Sequence, residues 1–177
     1  MSEQSHLRRK AEPKASRPHM PGYGILDAES GKGLLPWDWA TERLVKARNY
    51  WLATTRPDGR PHVMPIWGIW FDNAFYFSTG KQSRKARNLA ANPQCVVGAE
   101  RGNDAVIIEG VVAEVTDPAL IKRFADDYGQ KYKWDMEGFA EPVCAVRPAV
   151  AFGFISDTGE FTETATRWTF DEAGIKE

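Results

Sequence analysis

Two short turn sequences separate three β-rich runs between residues 50 and 78, and this spacing restricts the fold more than any other feature. Arg56-Pro57-Asp58-Gly59 and Asp72-Asn73 are turn formers, because proline fixes φ, glycine and asparagine accept positive φ, and aspartate bonds its own backbone. Runs that are joined by so few residues pair as neighbours. We therefore predict an antiparallel meander with strands at 50–55, 60–71 and 74–78.

The middle run, 60–71, is apolar in both of its alternating sets of residues. Met64 and Ile66 belong to one set, and Val63 and Trp67 belong to the other. Since successive strand residues point to opposite faces, this strand must be covered on both sides. A small closed barrel covers one face, and a second subunit is the natural cover for the other.

The rest of the chain adds strands and a few helices. We predict helices at 36–49 and 83–91, and a third that opens at Asp117-Pro118. Further strands are expected at 94–99, 105–116, 143–155 and 161–170, which gives about seven strands and three helices. The sequence thus predicts a mainly β fold, a barrel of antiparallel strands with peripheral helices, over residues 36–177. Residues 1–35 are rich in proline and glycine and read as an extension that is flexible or lies across the surface.

Composition excludes several classes of function. The net charge is −1, and the basic stretch within the first 20 residues has no interleaved aromatic residues, so we expect no nucleic-acid partner. No apolar run has the length of a membrane span. Cys95 and Cys144 lie in apolar runs, as buried free thiols do, which favours the cytoplasm. The histidines and cysteines lack metal-ligand spacing, so no metal site is expected.

The segment 78–89 is the most informative about chemistry. It reads Ser78-Thr79-Gly80-Lys81-Gln82-Ser83-Arg84-Lys85-Ala86-Arg87-Asn88-Leu89, with four basic residues and no acidic one. Two hydroxyls end a strand, a glycine loop follows, and a serine-capped helix begins. A helix N-terminus with adjacent cations suits a phosphate, although a solvated basic helix has a similar composition. The segment matches neither the P-loop nor the Rossmann fingerprint.

Residues 54–67 and 77–79, the series Ser83, Lys85, Asn88, Leu89 and Asn92-Pro93, and the closing run 166–170 occur together in one known group. In these segments the chain resembles the pyridoxamine 5′-phosphate oxidase-like superfamily, and more narrowly its flavin and deazaflavin oxidoreductases. The resemblance covers about residues 37–170. It implies a split β-barrel similar to FMN-binding proteins, assembled as a homodimer with two cofactor sites in grooves at the interface.

The same resemblance implies roles for individual residues. Ser83 and Lys85 would hold the cofactor phosphate with Arg84 nearby, and Ser78 and Thr79 would contact the phosphate or the ribityl chain. The tricyclic ring would lie along four residues of the middle strand, with a fifth closing the site from the last strand. These five residues are Met64, Pro65, Ile66, Trp67 and Trp168, of which the two tryptophans are as easily explained by packing alone.

The implied function is hydride transfer from a deazaflavin (coenzyme F-420) or FMN to a small conjugated or electron-poor substrate. No catalytic side chain is expected, because such cofactors carry the chemistry. A non-catalytic protein that sequesters cofactor, and an FMN-dependent enzyme similar to pyridoxamine-phosphate oxidase, stay open as alternatives. His62 is a candidate for proton transfer, but a lone histidine more often satisfies a local hydrogen bond. For Glu109, inside an apolar strand, a structural ion pair is expected.

Overall fold

The computed structural model describes residues 12–99, 103–157 and 159–171. Within these residues it has nine strands and four helices. The elements are β1 (Lys14–Ser16), α1 (Trp37–Lys46), β2 (Tyr50–Thr55), β3 (Pro61–Ile66), β4 (Ile69–Phe71), β5 (Ala74–Ser78), α2 (Arg84–Ala91), β6 (Gln94–Ala99), β7 (Asp104–Glu114), α3 (Pro118–Tyr132), β8 (Val143–Ile155), α4 (Phe161–Thr164) and β9 (Thr166–Thr169). The first eleven residues of the predicted extension and the last six of the predicted domain lie outside the described residues.

The antiparallel sheet closes on itself through the segment 61–71. β3 pairs with β2, and β4 pairs with β5, while the order β2, β6, β7, β8, β5 connects these two partners. Every one of these pairings is antiparallel. The long β8 completes this closed order because it pairs with β7 along one edge and its first half pairs with β5 along the other edge. The second half of that other edge pairs with β9. The predicted barrel of antiparallel strands with peripheral helices is thus confirmed.

The single strand predicted over 60–71 is wrong, because the run is interrupted at Trp67 and Gly68. At this break the chain exchanges β2 for β5 as its partner. Gly68 donates its N–H to the Tyr132 hydroxyl of α3 (2.9 Å). A Cβ at Gly68 would lie 2.2 Å from Cζ of Phe75, so only glycine fits here.

The predicted turns and caps are confirmed. Asp72 and Asn73 have φ of 49° and 56°, as expected for the two central residues of a type I′ hairpin, and Gly59 has φ of 83°. Asp117 accepts the N–H of Ala119 (2.8 Å), with Pro118 in the first turn of α3.

The strand predicted over 161–170 is wrong in its first half. The backbone N–H groups of Glu160 and Phe161 both donate to the carbonyl of Asp157 (3.0 Å), which winds the chain into the short helix α4. Only β9 pairs with β8. Helix α1 also ends at Lys46, three residues earlier than predicted, because Ala47 already has the extended backbone that leads into β2.

Two groups of buried side chains stabilise the fold. The barrel interior holds Tyr50, Phe75, Phe77 and Trp168 under α1, whose buried face contains Trp37, Ala40 and Leu44. A second cluster lies between α3 and the β4–β5 hairpin and includes Phe71, Tyr76, Phe124 and Tyr132. None of the helices among the described residues has the length and apolarity that a bilayer crossing requires.

Residues 12–35 contact the last part of the chain. β1 pairs with β9, which extends the sheet beyond the barrel. The Arg17 guanidinium donates to the carbonyls of Ala165 (3.0 Å), Glu163 (2.7 Å) and Ser30 (3.2 Å). This segment also lines a cavity of about 480 Å³ with its own residues.

Candidate functional site

Helix α2 begins in a compact polar loop. Ser83 has an extended backbone, and its hydroxyl accepts the N–H of Ala86 (3.1 Å), so the predicted N-cap is confirmed. The Thr79 hydroxyl lies 3.0 Å from the Ser83 hydroxyl, and the Ser83 N–H donates to the Gly80 carbonyl (2.9 Å). The loop therefore fixes the direction of the helix N-terminus, where unpaired N–H groups carry partial positive charge.

The charges of three cationic side chains act on His62 near this helix end. Arg84 and Lys85 come from α2, and Arg56 comes from the hairpin between β2 and β3. Desolvation, and after it the charges of Arg56, Lys85 and Arg84, holds the pKa of His62 below its ordinary value. We call these four residues the anion cluster. Within the part of the chain that the structure describes, none of its three permanent cations pairs with a carboxylate.

A chain of polar contacts links α2 to this cluster. Asn88 is fully buried and donates from Nδ2 to the Thr54 hydroxyl (2.9 Å), which lies 3.4 Å from Nδ1 of His62. The Oδ1 atom of Asn88 and the Nε atom of Arg56 are buried without a partner among the described residues. Buried polar atoms are nearly always paired, so these two atoms lack a hydrogen bond that the fold normally supplies.

Sequence reasoning identified only part of this cluster. Ser83, Arg84 and Lys85 carried a local signal, namely a cap followed by two cations. Arg56, Thr54 and Asn88 carried none, because their meeting depends on the packing of α2 against β2. The sequence offered two hints: Arg56 immediately precedes the Pro57-Asp58-Gly59 turn, and all three residues lie in the segments that carry the family resemblance.

Ser78 and Thr79 lie beside the loop, and their hydroxyl groups have different hydrogen-bond partners. The Ser78 hydroxyl donates to the carbonyl of Pro142 (2.8 Å), so it is already engaged in the fold. Thr79 is buried and faces Ser83. Both occupy the strand-to-helix connection where the resemblance puts the phosphate end of a cofactor.

The predicted ring-contacting residues of β3 divide into two groups. Met64 and Pro65 are exposed, as is Val63 beside them, while Ile66 is buried in the barrel. Among the described strands β3 pairs only with β2, so its outer edge is open to a ligand. Trp67 turns away toward α3, where its ring stacks on Tyr132 at 4.6 Å.

Trp168 is not brought together with the other predicted site residues. Its side chain is 1% exposed and packs in the core against Trp37, with ring centroids 5.3 Å apart. Gly153 approaches the same ring, since a Cβ there would lie 2.6 Å from Cη2 of Trp168.

Glu109 does not form the ion pair expected for it. Its side chain is exposed, and no cation pairs with it among the described residues.

A second perturbed group, which sequence reasoning missed, lies at the β3–β4 break. Lys131 donates to the Tyr50 hydroxyl (2.8 Å) and to the Gly68 carbonyl (3.0 Å). Burial, together with the charge of Arg48, lowers the pKa of Lys131 to about 8. Burial also raises the pKa of the neighbouring Tyr132 to about 12, so this hydroxyl stays protonated at neutral pH.

An open groove of about 430 Å³ runs between α2 and the ends of β7 and β8. Ala86 and Ala90 border it on α2, and Val112 and Cys144 border it on the strands. Since Ala86 and Ala90 are four residues apart, they share a helix face that differs from the Asn88 face, which meets β2. Burial raises the pKa of Cys144 to about 11, so its thiol is protonated at neutral pH.

The closed antiparallel barrel with outer helices defines the class of split-barrel proteins. The sequence model of one family, described as pyridoxamine 5′-phosphate oxidase, matches residues 40–152, which is more than half of the chain. The chain therefore belongs to the pyridoxamine 5′-phosphate oxidase family. No curated protein matches the chain in sequence.

Solved structures of the same fold include proteins with different described roles. An F420 reductase is 24% identical, with a TM-score of 0.52 over 62% of this chain and 93% of that chain. A FAD-binding protein of Mesorhizobium loti is 19% identical, with a TM-score of 0.55 over 77% and 96%. HutZ, a heme storage protein of Vibrio cholerae, is 18% identical, with a TM-score of 0.55 over 63% and 88%. At these identities the likeness establishes the fold.

Proposed function

We propose that this protein binds a deazaflavin (coenzyme F-420) or FMN and catalyses hydride transfer to a small conjugated or electron-poor substrate. The observation that carries the proposal is the anion cluster: Arg56, Arg84 and Lys85 have no carboxylate partner in the described residues and lie around His62 beside a helix N-terminus. Such an arrangement is unfavourable unless an anion compensates it. A phosphoryl group matches it in charge and in acceptor number.

The residues present fit a flavin-type cofactor at both of its ends. At the phosphate end, Lys85 and Arg84 would hold the phosphoryl oxygens, with Ser83 and Thr79 beside them. At the ring end, Met64 and the outer edge of β3 offer an apolar surface with open backbone groups. The single chain would leave such a ring half in water.

A homodimer would complete the ring end. Trp51, Val63 and Met64 are 48%, 50% and 44% exposed, although large apolar side chains are normally buried. Trp51 and Val63 share one face of the β2–β3 pair, and Met64 points to the other face. Exposed apolar side chains on both faces of this pair indicate that another molecule covers it. A second copy of this chain would cover the β2–β3 surface, exclude water from the cofactor and close the substrate site.

When bound, the cofactor supplies the hydride chemistry. The protein contributes three actions: the anion cluster anchors the phosphoryl group, β3 orients the ring, and the dimer excludes water.

Since both cysteines are free thiols, we also propose a cytoplasmic location.

The test is a turnover assay on purified protein with reduced coenzyme F-420 and with reduced FMN. Oxidation of the bound cofactor should accelerate when a conjugated acceptor is added, and it should not accelerate with a saturated analogue of that acceptor. Tight binding without turnover on any acceptor would instead support cofactor sequestration, a role in keeping with the storage function described for HutZ. Binding of neither cofactor would reject the proposal.

A further inference from the structure

The imidazole of His62 is the one group of the anion cluster whose charge can change near neutral pH. Arg56 follows Thr54, the β2 partner of His62, by two residues, and Arg84 and Lys85 lie about one helical turn before Asn88, which bonds to Thr54. The charges of all three cations act on the imidazole. The carboxylate of the same hairpin, Asp58, is engaged by Arg60 at 2.7 Å, and its charge also acts on Arg56. In the free protein the imidazole is therefore surrounded by positive charge, which favours its neutral form.

Thr54 and Asn88 define how this ring is held. The Thr54 hydroxyl accepts a hydrogen bond from Asn88, so its own single hydrogen remains for His62, at either Nδ1 or the carbonyl (both 3.4 Å). When that hydrogen points to Nδ1, the neutral ring carries its proton on Nε2. Nε2–H is then a donor for an anion that Arg56 and Lys85 attract.

We propose that His62 is a proton-coupled ligand of the phosphoryl group: it is neutral in the free protein and takes up one proton when the anion binds among Arg56, Arg84 and Lys85. Asn88 and Thr54 act as positioning residues for its ring. The proton comes from the solvent: an N–H bond forms on the imidazole as an O–H bond of hydronium breaks, and no other covalent bond changes. This inference rests on the proposed function only in the identity of the ligand, since any phosphoryl anion in the cluster would have the same effect.

The consequence is a dependence of cofactor affinity on pH. A bound anion compensates the three cations and adds an opposite charge next to the ring, which raises the pKa of His62. Phosphoryl binding therefore strengthens as the pH falls through the pKa of His62 in the complex, and it levels off below the lower pKa of His62 in the free protein. A ligand without a phosphoryl group should show no such dependence at this residue.

NMR titration of the full chain measures this coupling directly. The imidazole Cε1–H resonance of His62 is assigned by its loss in His62→Gln, and its midpoint is recorded without ligand, with FMN and with riboflavin. FMN should raise the midpoint by about 1–3 pH units, the effect of one close opposite charge. Riboflavin, which lacks the phosphoryl group, should leave it unchanged. Where F-420 is the flavin that binds, the deazaflavin without its phosphoryl tail replaces riboflavin as the control.

The other outcomes separate the inference about His62 from the proposed function. Saturation with a phosphoryl-bearing flavin and an unchanged His62 midpoint would overturn the inference while leaving the proposed function intact. An equal rise with riboflavin would overturn it too. If neither flavin binds, the proposed function fails, and inorganic pyrophosphate then tests the inference: a raised midpoint supports it and an unmoved one overturns it.

The positioning role has its own readout. Thr54→Val removes the hydroxyl and keeps the shape, so the Nε2–H share of the neutral His62 ring should fall to that of a histidine free in water. The ¹⁵N chemical shifts of the ring report this preference. Unchanged shifts in a variant of unchanged melting temperature would assign Thr54 to packing alone.

Discussion

Lys85 and Arg56 approach the same imidazole from two different elements, one from a helix and one from a hairpin. Neighbouring like charges destabilise a folded protein, and among the described residues no carboxylate forms a salt bridge with these cations. The orphaned Asn88 Oδ1 and Arg56 Nε add a second unfavourable feature at the same place. Repulsion between like charges and unpaired buried polar atoms are typical of binding sites.

Removal of one cation should therefore weaken the cofactor complex. We expect Lys85→Ala to reduce the affinity for the phosphoryl-bearing cofactor by about 1.5–3 kcal/mol, the contribution of one charge-assisted hydrogen bond. Isothermal titration calorimetry measures the difference. Lys122→Ala on α3, an exposed lysine that pairs with Asp126, is the matched control and should bind normally. Equal affinity of the Lys85 variant and the wild type would remove Lys85 from the site.

The anion cluster also shows which residues a sequence can reveal. Ser83 and Lys85 were predictable because capping and local charge operate within a few residues. Arg56 and Asn88 were not, because they meet only after α2 packs on β2. Trp168 was assigned by resemblance, and the structure finds its ring buried in the barrel interior.

Among the elements, the break between β3 and β4 has the largest effect on the fold. It permits one segment to pair with β2 and then with β5, and so it closes the barrel. The sequence did not reveal the break because apolar residues continue through Trp67 and Gly68 without a turn signal. A change of strand partner is a tertiary event, and a lone glycine in a strand is only a weak sign of it.

Gly68→Ala tests the importance of this break. The new methyl group would meet both the Phe75 ring at 2.2 Å and the Tyr76 carbonyl at 2.7 Å, and the backbone oxygen cannot rotate away. We expect a loss of about 1–3 kcal/mol in the free energy of unfolding, as for other overpacked sites. Gly98→Ala in β6 is the control, because a Cβ there has no neighbour within 4 Å. Urea unfolding that finds the two variants equally stable would contradict this account.

Lys131 holds the same break from α3, and its charge is disfavoured by burial. The pKa of Lys131 is lowered from 10.5 to about 8 in the folded protein, so between these values the unfolded chain binds more protons than the folded one. Stability therefore rises with pH across this window and is reduced below pH 8, where the buried ammonium is charged.

The comparison of wild type with Lys131→Met isolates this contribution. Between pH 7 and pH 9.5 the difference in unfolding free energy should shift in favour of the wild type, because only the wild type is relieved of a buried charge. Urea unfolding at both pH values measures it. A difference that is independent of pH would mean that Lys131 titrates normally.

At the scale of the whole molecule, the β2–β3 pair is where we propose that a second copy of the chain binds. The apolar residues on both faces of the middle run predicted a cover for this strand, and Val63 and Met64 are exposed when the chain is alone. The sequence could predict the need for a cover but not the orientation of the partner, since orientation depends on surfaces that are distant in the chain.

A charge at this surface should disrupt assembly and cofactor binding together. We expect Val63→Glu to shift a dimer toward monomer in analytical ultracentrifugation and to weaken flavin binding, because a buried unpaired carboxylate is unfavourable at an interface. Val45→Glu on α1, equally exposed in the single chain, should leave both properties unchanged. A Val63 variant that dimerises and binds normally would place the interface elsewhere.

Binding of a phosphoryl-bearing flavin is the central claim, and a paired titration tests it most directly. FMN is compared with riboflavin, and F-420 with the deazaflavin that lacks the phosphoryl tail, at constant pH and ionic strength. At least one phosphoryl-bearing member should bind at micromolar concentration or below. It should bind at least about 100-fold more tightly than its partner without the phosphoryl group, since two charge-assisted hydrogen bonds contribute about 3 kcal/mol or more. Equal affinity within both pairs, or no binding of either phosphoryl-bearing flavin at micromolar concentration, would contradict the account.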